Sequence, residues 1–251
     1  MMANSIQTIS FAHLALVFIP VAAVIAIMWK WKLGYKTSLY AIARMLVQLL
    51  LIGYFLAYIF ESDNALIVVA VLAIMLVSSS WIALRTLKIP RKQLYLKSFV
   101  SIAAGGSFIL LLVTQGTLNL EPWYLPSYVI PLAGMIFANA MNSVSLAGER
   151  LEAETGRNIP YEKARVIALQ ASLIPITNSL FAVGLVSLPG MMTGQILSGV
   201  SPFIAVRYQI MVMCMMFGSA GISAATFLIL IKSDISNYSP PEAIENGQEE
   251  A

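Results

Sequence analysis

The side chains in this sequence with the clearest capacity for chemistry are amides and hydroxyls inside two otherwise apolar segments. Asn139, Asn142 and Ser143 stand at spacings i, i+3 and i+4, which places them on one face of a helix. Gln170 and Asn178 occupy the next apolar segment. Polar groups at such positions line a route for a polar solute or hydrogen-bond neighbouring helices. We expect these segments to line a translocation path, with interhelical hydrogen bonding as the alternative.

Residues suited to enzymatic catalysis are scarce. The chain has one histidine, His13, and one cysteine, Cys214, and contains no G-x-x-x-x-G-K-[ST] nucleotide-binding pattern. No nucleophilic side chain stands beside a candidate general base. The sequence therefore predicts a protein that is not an enzyme, uses no cofactor and does not itself hydrolyse ATP.

Methionines are concentrated towards the C-terminal part of the chain. Those of interest are Met191, Met192, Met211, Met213, Met215 and Met216. Thioether sulfur suits soft metals, but consecutive methionines on a helix point to different sides and methionine commonly fills gaps in apolar packing. We interpret them as packing residues, and the sequence identifies no set of metal ligands.

A charged connection, Gly148–Arg165, joins the two apolar segments that carry these polar residues. We call this connection the elbow. Its first part continues a helix, with Arg150 and Glu154 at the i, i+4 spacing of an ion pair. Gly156 is predicted to end that helix and Pro160 to begin the next. The alternative is a solvated linker. The charged elbow residues of interest are Glu149, Arg150, Glu152, Glu154, Arg157 and Glu162.

The composition requires a membrane to surround these elements. Of 251 residues, 59% are hydrophobic and 11% are charged, and the mean hydropathy is +0.82. A soluble protein has about 25% charged residues. The sequence therefore predicts an integral membrane protein of the all-α class. Its net charge of +3 is small and no basic run is interleaved with aromatics, so nucleic acid is not expected as a partner.

Seven apolar stretches are predicted to form transmembrane helices, each close to the ~20 residues that cross a bilayer. They cover approximately residues 11–28, 39–60, 65–84, 99–113, 128–147, 166–188 and 205–231. We divide the chain into a transmembrane domain, residues 1–232, and an acidic C-terminal tail, residues 233–251, predicted to be disordered.

The distribution of charge orients these helices. The connections after the first and third helices are rich in lysine and arginine, whereas those after the second and fourth carry only acidic charges. Because basic loops stay in the cytoplasm, we expect the N-terminus outside and the elbow and C-terminal tail inside.

Glycine and proline interrupt the region between the last two apolar stretches. Gly184, Gly190, Gly194 and Gly199 occur there with prolines at its edges. Both residue types stop helices, and broken backbone at membrane depth persists only where protein or a water-filled cavity surrounds it. The pattern predicts a tight connection or a re-entrant turn.

The same region carries a distinctive motif. Its residues are Leu188, Pro189, Gly190, Met191, Thr193, Gly194, Gln195, Gly199, Pro202, Arg207, Tyr208 and Gln209. The motif resembles the signature of the Fet-type iron-export permeases, a family of ABC-transporter membrane subunits that includes plant aluminium-tolerance half-transporters. The similarity in helix layout covers the chain except its C-terminal tail.

That resemblance implies a particular assembly and function. Two permease copies would assemble with two copies of a separate ATPase in the bacterial inner membrane, and would export iron from the cytoplasm. In such permeases the elbow docks in a cleft of the ATPase and transmits its movement.

Other functions are compatible with the same residues. The chain could be an ABC permease for another substrate, such as a sugar nucleotide, or a membrane assembly factor that transports nothing. It could also be a stand-alone secondary transporter or channel with the glycine- and proline-rich turn as its filter. No acidic residue lies deep in a predicted helix to couple transport to protons or sodium, which argues against the secondary transporter.

Overall fold

The described structure is a bundle of α-helices. The computed structural model describes residues 9–61 and 64–237, and those ranges contain no β-strand. The helices are α1 Phe11–Leu16, α2 Phe18–Lys30, α3 Tyr35–Phe60, α4 Ala65–Ala83, α5 Arg91–Leu111, α6 Pro126–Thr155, α7 Tyr161–Ala182, α8 Gly190–Leu197, α9 Pro202–Leu230 and α10 Lys232–Asn237. A 3-10 turn follows α4 at Leu84–Thr86, and a π-helical turn extends α5 over Leu112–Thr117.

Within the described ranges, seven helical spans are long and apolar enough to cross a membrane, which confirms the predicted number and the all-α membrane class. Two predicted boundaries were wrong. The fourth span begins at Arg91 rather than near residue 99, directly after Pro90. The sixth ends at Ala182 rather than near residue 188, because Val183 is extended and Gly184 takes a φ of +82°, which reverses the chain.

The core lies between α5, α6 and α9, with α4 and α7 packed around them. Small residues allow the helix backbones to approach closely. Gly105 on α5 is the tightest example, since a Cβ added there would lie 2.9 Å from the backbone nitrogen of Ser223 on α9. Gly148 on α6 likewise faces the Leu87 side chain, 2.9 Å from an added Cβ.

The helical hairpin of α2 and α3 stands apart from this core. None of the described residues in its two membrane spans is buried, and outside the hairpin α3 contacts α6. Its apolar surface is suited to lipid or to another protein subunit. Helix α1 ends at Leu16 and α2 begins at Phe18, with a break at Val17. In a continuous helix the ring of Pro20 would clash with the carbonyl of Leu16, four residues earlier.

The region rich in glycine and proline contains a helix that the sequence had not predicted. Helix α8 packs against α9, and the two connections beside it each contain a glycine with positive φ, Gly184 and Gly199. Pro189 immediately precedes α8 and Pro202 is the first residue of α9. Both prolines therefore occupy helix starts, where the missing N–H costs nothing.

The predicted disordered tail begins with a described helix. Residues 233–237 belong to α10, which is held by an ion pair between Lys97 on α5 and Asp234. Residues 238–251 lie outside the described residues.

Candidate functional site

The bundle has two chemically distinct ends. The elbow end contains the α6–α7 turn, the loop from α4 to α5 and the C-terminal end of α9. The opposite end contains the starts of α6 and α9 together with α8 and the π-helical turn.

At the elbow end, α6 continues to Thr155, as predicted, and the chain reverses before α7 begins at Tyr161. Gly156 follows the helix but keeps a right-handed conformation, with a φ of −63°. The left-handed residue is Asn158, with a φ of +62°. Asparagine tolerates this conformation better than most other residues, so the turn is made two residues later than a simple glycine stop would place it.

The predicted ion pair within the elbow is confirmed. Glu154 is only 3% exposed, and its carboxylate lies 2.6 Å from the Arg150 guanidinium and 3.5 Å from that of Arg157. A buried carboxylate is stable only when it is paired. Glu154 therefore holds the elbow together and is not available to contact another protein.

Glu152 has a role that sequence reasoning missed. Its carboxylate accepts hydrogen bonds from the backbone N–H groups of Lys88, at 2.9 and 3.2 Å, and Ile89, at 3.1 Å. About two helical turns earlier on α6, the hydroxyls of Ser145 and Thr86 lie 3.0 Å apart. These contacts attach the end of α6 to the α4–α5 loop.

The start of α7 is attached to the C-terminal end of α9. The Tyr161 hydroxyl donates to the Leu228 carbonyl, and Glu162 pairs with Arg165 at 2.7 Å and with Lys232 at 2.8 Å. The elbow is therefore bonded to the α4–α5 loop, to α9 through Leu228 and to α10 through Lys232. Glu149, Arg157 and Asn158 remain on its exposed surface.

The five polar residues predicted to line a path do not meet in one cavity of the single chain. Ser143 is buried between helices, with its hydroxyl 3.5 Å from the Ser172 carbonyl on α7, and Asn139 donates to the Met135 carbonyl of its own helix at 3.0 Å. Three others lie on the outer surface of α6 and α7, and they are Asn142, Gln170 and Asn178.

Part of the sequence motif converges at the opposite end. Met191 and Gln195 of α8 and Tyr208 of α9 line a cavity of about 220 Å³, to which α6 also contributes. Arg207 lines a separate recess of about 390 Å³ beside the π-helical turn. Gln209 instead points into the bundle, where it is 5% exposed.

The remaining motif residues build the two turns around α8. They are Leu188, Pro189, Gly190, Thr193, Gly194, Gly199 and Pro202. Among them, the Thr193 hydroxyl donates to the Pro189 carbonyl at 3.2 Å, in addition to the backbone N–H of Thr193 at 3.0 Å.

Seven membrane-spanning helices, a charged elbow bonded to the helices beside it and a polar cavity near the opposite end define an integral membrane protein of the permease type. The family model described as "Uncharacterised protein family (UPF0014)" matches residues 11–166 and 157–235. The chain belongs to this family.

Several relatives match over most of their length. The chain is 34% identical to "Probable iron export permease protein FetB" of Escherichia coli over 234 residues, which are 86% of this chain and 88% of that protein. It is 38% identical to "UPF0014 membrane protein slr1647" of Synechocystis over 86% of this chain and 84% of that protein. It is 33% identical to "Protein ALUMINUM SENSITIVE 3" of Arabidopsis thaliana over 82% of each. No solved structure matches this chain.

Proposed function

We propose that the chain is the membrane subunit of an ABC transporter that exports iron from the cytoplasm of a bacterium across its inner membrane. The observation that carries this proposal is the near full-length similarity to the relative named as a probable iron export permease. The chain is a non-catalytic subunit in this proposal, because its sequence lacks a nucleotide-binding pattern, and a separate ATPase hydrolyses the ATP.

The elbow supplies the mechanical connection. Its internal ion pairs and its bonds to the α4–α5 loop and to α9 make it move as one body with these elements. The exposed residues Glu149, Arg157 and Asn158 contact the ATPase, while Glu152 and Glu154 keep the contacting surface rigid. Movement of the ATPase is thereby transferred to α6 and α7 in the membrane.

Two copies of the chain form the transport path. Amides are costly to expose to hydrocarbon, so a surface that carries Asn142, Gln170 and Asn178 is better placed against protein or water than against lipid. A second copy covers this surface and the polar side chains line the route between the copies. The orientation follows the basic loops, with the elbow in the cytoplasm.

Purification of the tagged permease in mild detergent tests this proposal. An ATPase subunit recovered in about equal amounts, with ATP hydrolysis stimulated by the permease, is the expected result. Recovery of the permease without an ATPase, together with transport that needs no ATP, would instead support a stand-alone transporter or channel.

A further inference from the structure

The cavity at the opposite end combines methionine, tyrosine and glutamine side chains with apolar ones. It holds about 220 Å³ between α6, α8 and α9, close to the point where the π-helical turn of α5 ends. The side chains that carry the inference are Tyr128, Met135, Met191, Gln195, Tyr208 and Met211.

Three methionines from three different helices line this cavity. Met135 belongs to α6, Met191 to α8 and Met211 to α9. Methionines in one helical run cannot converge, as the sequence indicates, and Met213 and Met215 are indeed buried elsewhere in the core. Methionines contributed by separate helices are free of this restriction, and thioethers are ligands that soft metal ions favour.

Oxygen atoms complete the lining. The Oε1 atom of Gln195 is buried and has no hydrogen-bond partner among the described residues. Tyr128 and Tyr208 also line the cavity and carry phenol oxygens. A buried carbonyl oxygen without a donor is unfavourable by itself, so a bound cation or donor would stabilise it.

The charge of the cavity restricts its ligand. None of the described residues that line it is Asp, Glu, His, Lys or Arg. Thioethers and neutral oxygens bind soft ions of low charge, whereas hard ions of high charge select carboxylates. Ions of the latter kind, including iron in its Fe(III) state, would lack anionic ligands here.

We propose that this cavity is a binding site for a soft, monovalent metal cation of the Cu(I) or Ag(I) class. The Met135, Met191 and Met211 thioethers and Gln195 Oε1 are its ligands, and the two phenol groups close one side. The inference goes beyond the proposed function and does not depend on it, since binding requires neither ATP, nor an ATPase subunit, nor the path between copies.

Titration of the purified full-length permease with Ag(I) tests the proposal. Isothermal calorimetry is performed in chloride-free buffer on protein carrying Cys214→Ser, which removes the only thiol of the chain. One Ag(I) per chain is expected. Met191→Leu and Met211→Leu should each weaken Ag(I) binding about tenfold or more. Loss of a residue that only supports a metal ligand already lowers metal affinity about tenfold, and loss of a ligand should cost at least as much.

Two further variants make the result specific. Met192→Leu is the matched control, because Met192 lies next to Met191 on α8 but does not line the cavity, and its Ag(I) affinity should be unchanged. Gln195→Glu keeps the size of the side chain and adds a negative charge, so it should increase the affinity for Mn(II) and Fe(II). X-ray absorption of the silver-loaded protein should show sulfur ligands that are reduced in number in Met191→Leu.

Equal Ag(I) affinity in Met191→Leu and Met192→Leu would overturn the proposal, as would tighter binding of Fe(II) than of Ag(I) to the unmodified cavity. A Gln195→Glu variant whose Mn(II) affinity equals that of the unmodified protein would also contradict the proposal. All these measurements use the permease alone, so they do not depend on whether it assembles with an ATPase. Conversely, absence of metal binding in the cavity would leave the proposed ATPase partnership untouched.

Discussion

The carboxylate of Glu152 on α6 accepts a hydrogen bond of 2.9 Å from the backbone N–H of Lys88, in the loop between α4 and α5. The residues are 64 positions apart in the sequence. A charged side chain of the elbow therefore holds a loop whose own backbone donors would otherwise need water. This bond attaches the elbow to the α4–α5 loop.

Replacement of Glu152 by alanine should destabilise the protein by about 2 kcal/mol, since hydrogen bonds to a charged acceptor contribute about 1.5–3 kcal/mol. The amides of Lys88 and Ile89 should exchange with deuterium faster, because both lose their acceptor. Hydrogen-exchange mass spectrometry with thermal unfolding measures both effects. Glu149→Ala, which removes an exposed carboxylate of the same helix, is the control and should change neither.

Reversal of charge on the exposed elbow surface should weaken the ATPase contact without unfolding the permease. Glu149→Arg places the opposite charge on that surface without touching the Glu154 ion pairs, and like charges across an interface oppose binding. Recovery of the ATPase in a pull-down should decrease severalfold, with the thermal transition of the permease unchanged. Glu61→Arg, in the exposed connection between α3 and α4, should bind the ATPase normally.

Gly105→Ala should destabilise the bundle by about 1–3 kcal/mol, the range typical of overpacked cores. The added methyl group would lie 2.9 Å from the Ser223 backbone nitrogen, and backbone cannot rotate aside as a long side chain can. Gly53→Ala on α3 provides the comparison, because an added Cβ there meets nothing within 4 Å. Thermal unfolding in detergent should separate the two variants; equal transitions would mean that α5 and α9 are less closely packed than described.

Cysteine cross-linking should detect a second copy against the polar surface of α6 and α7. In a Cys214→Ser background, Gln170→Cys should form disulfide-linked dimers in membranes, because the proposed path lies between copies at this residue. Ile74→Cys, on the 66% exposed outer side of α4, should remain monomeric. Cross-linking of Ile74→Cys alone would place the interface between copies on another side of the bundle.

Hydropathy was sufficient to predict the seven spans, because each must satisfy its backbone internally while it covers the hydrocarbon with apolar side chains. Local spacing was also sufficient for the pair of Arg150 and Glu154, which lie four residues apart on one helix. Such features depend on few residues that are close in sequence.

Features that depend on distant segments escaped prediction. The bond between Glu152 and Lys88 has no local signal, since any of several elbow carboxylates could have reached the α4–α5 loop. Helix α8 was missed because its glycines and the prolines that flank it were interpreted only as helix breakers, although Pro189 stands just before its first residue. The convergence of Met135 and Met191 requires the relative placement of α6 and α8, which hydrophobic periodicity does not determine.

Transport by reconstituted protein tests the central claim most directly. Inside-out liposomes containing the permease, with and without its co-purified ATPase, are supplied with iron and ATP, and accumulated iron is measured against its gradient. The account predicts ATP-dependent accumulation only when both subunits are present, and its loss when the ATPase cannot hydrolyse ATP. Accumulation against the gradient by the permease alone would contradict it.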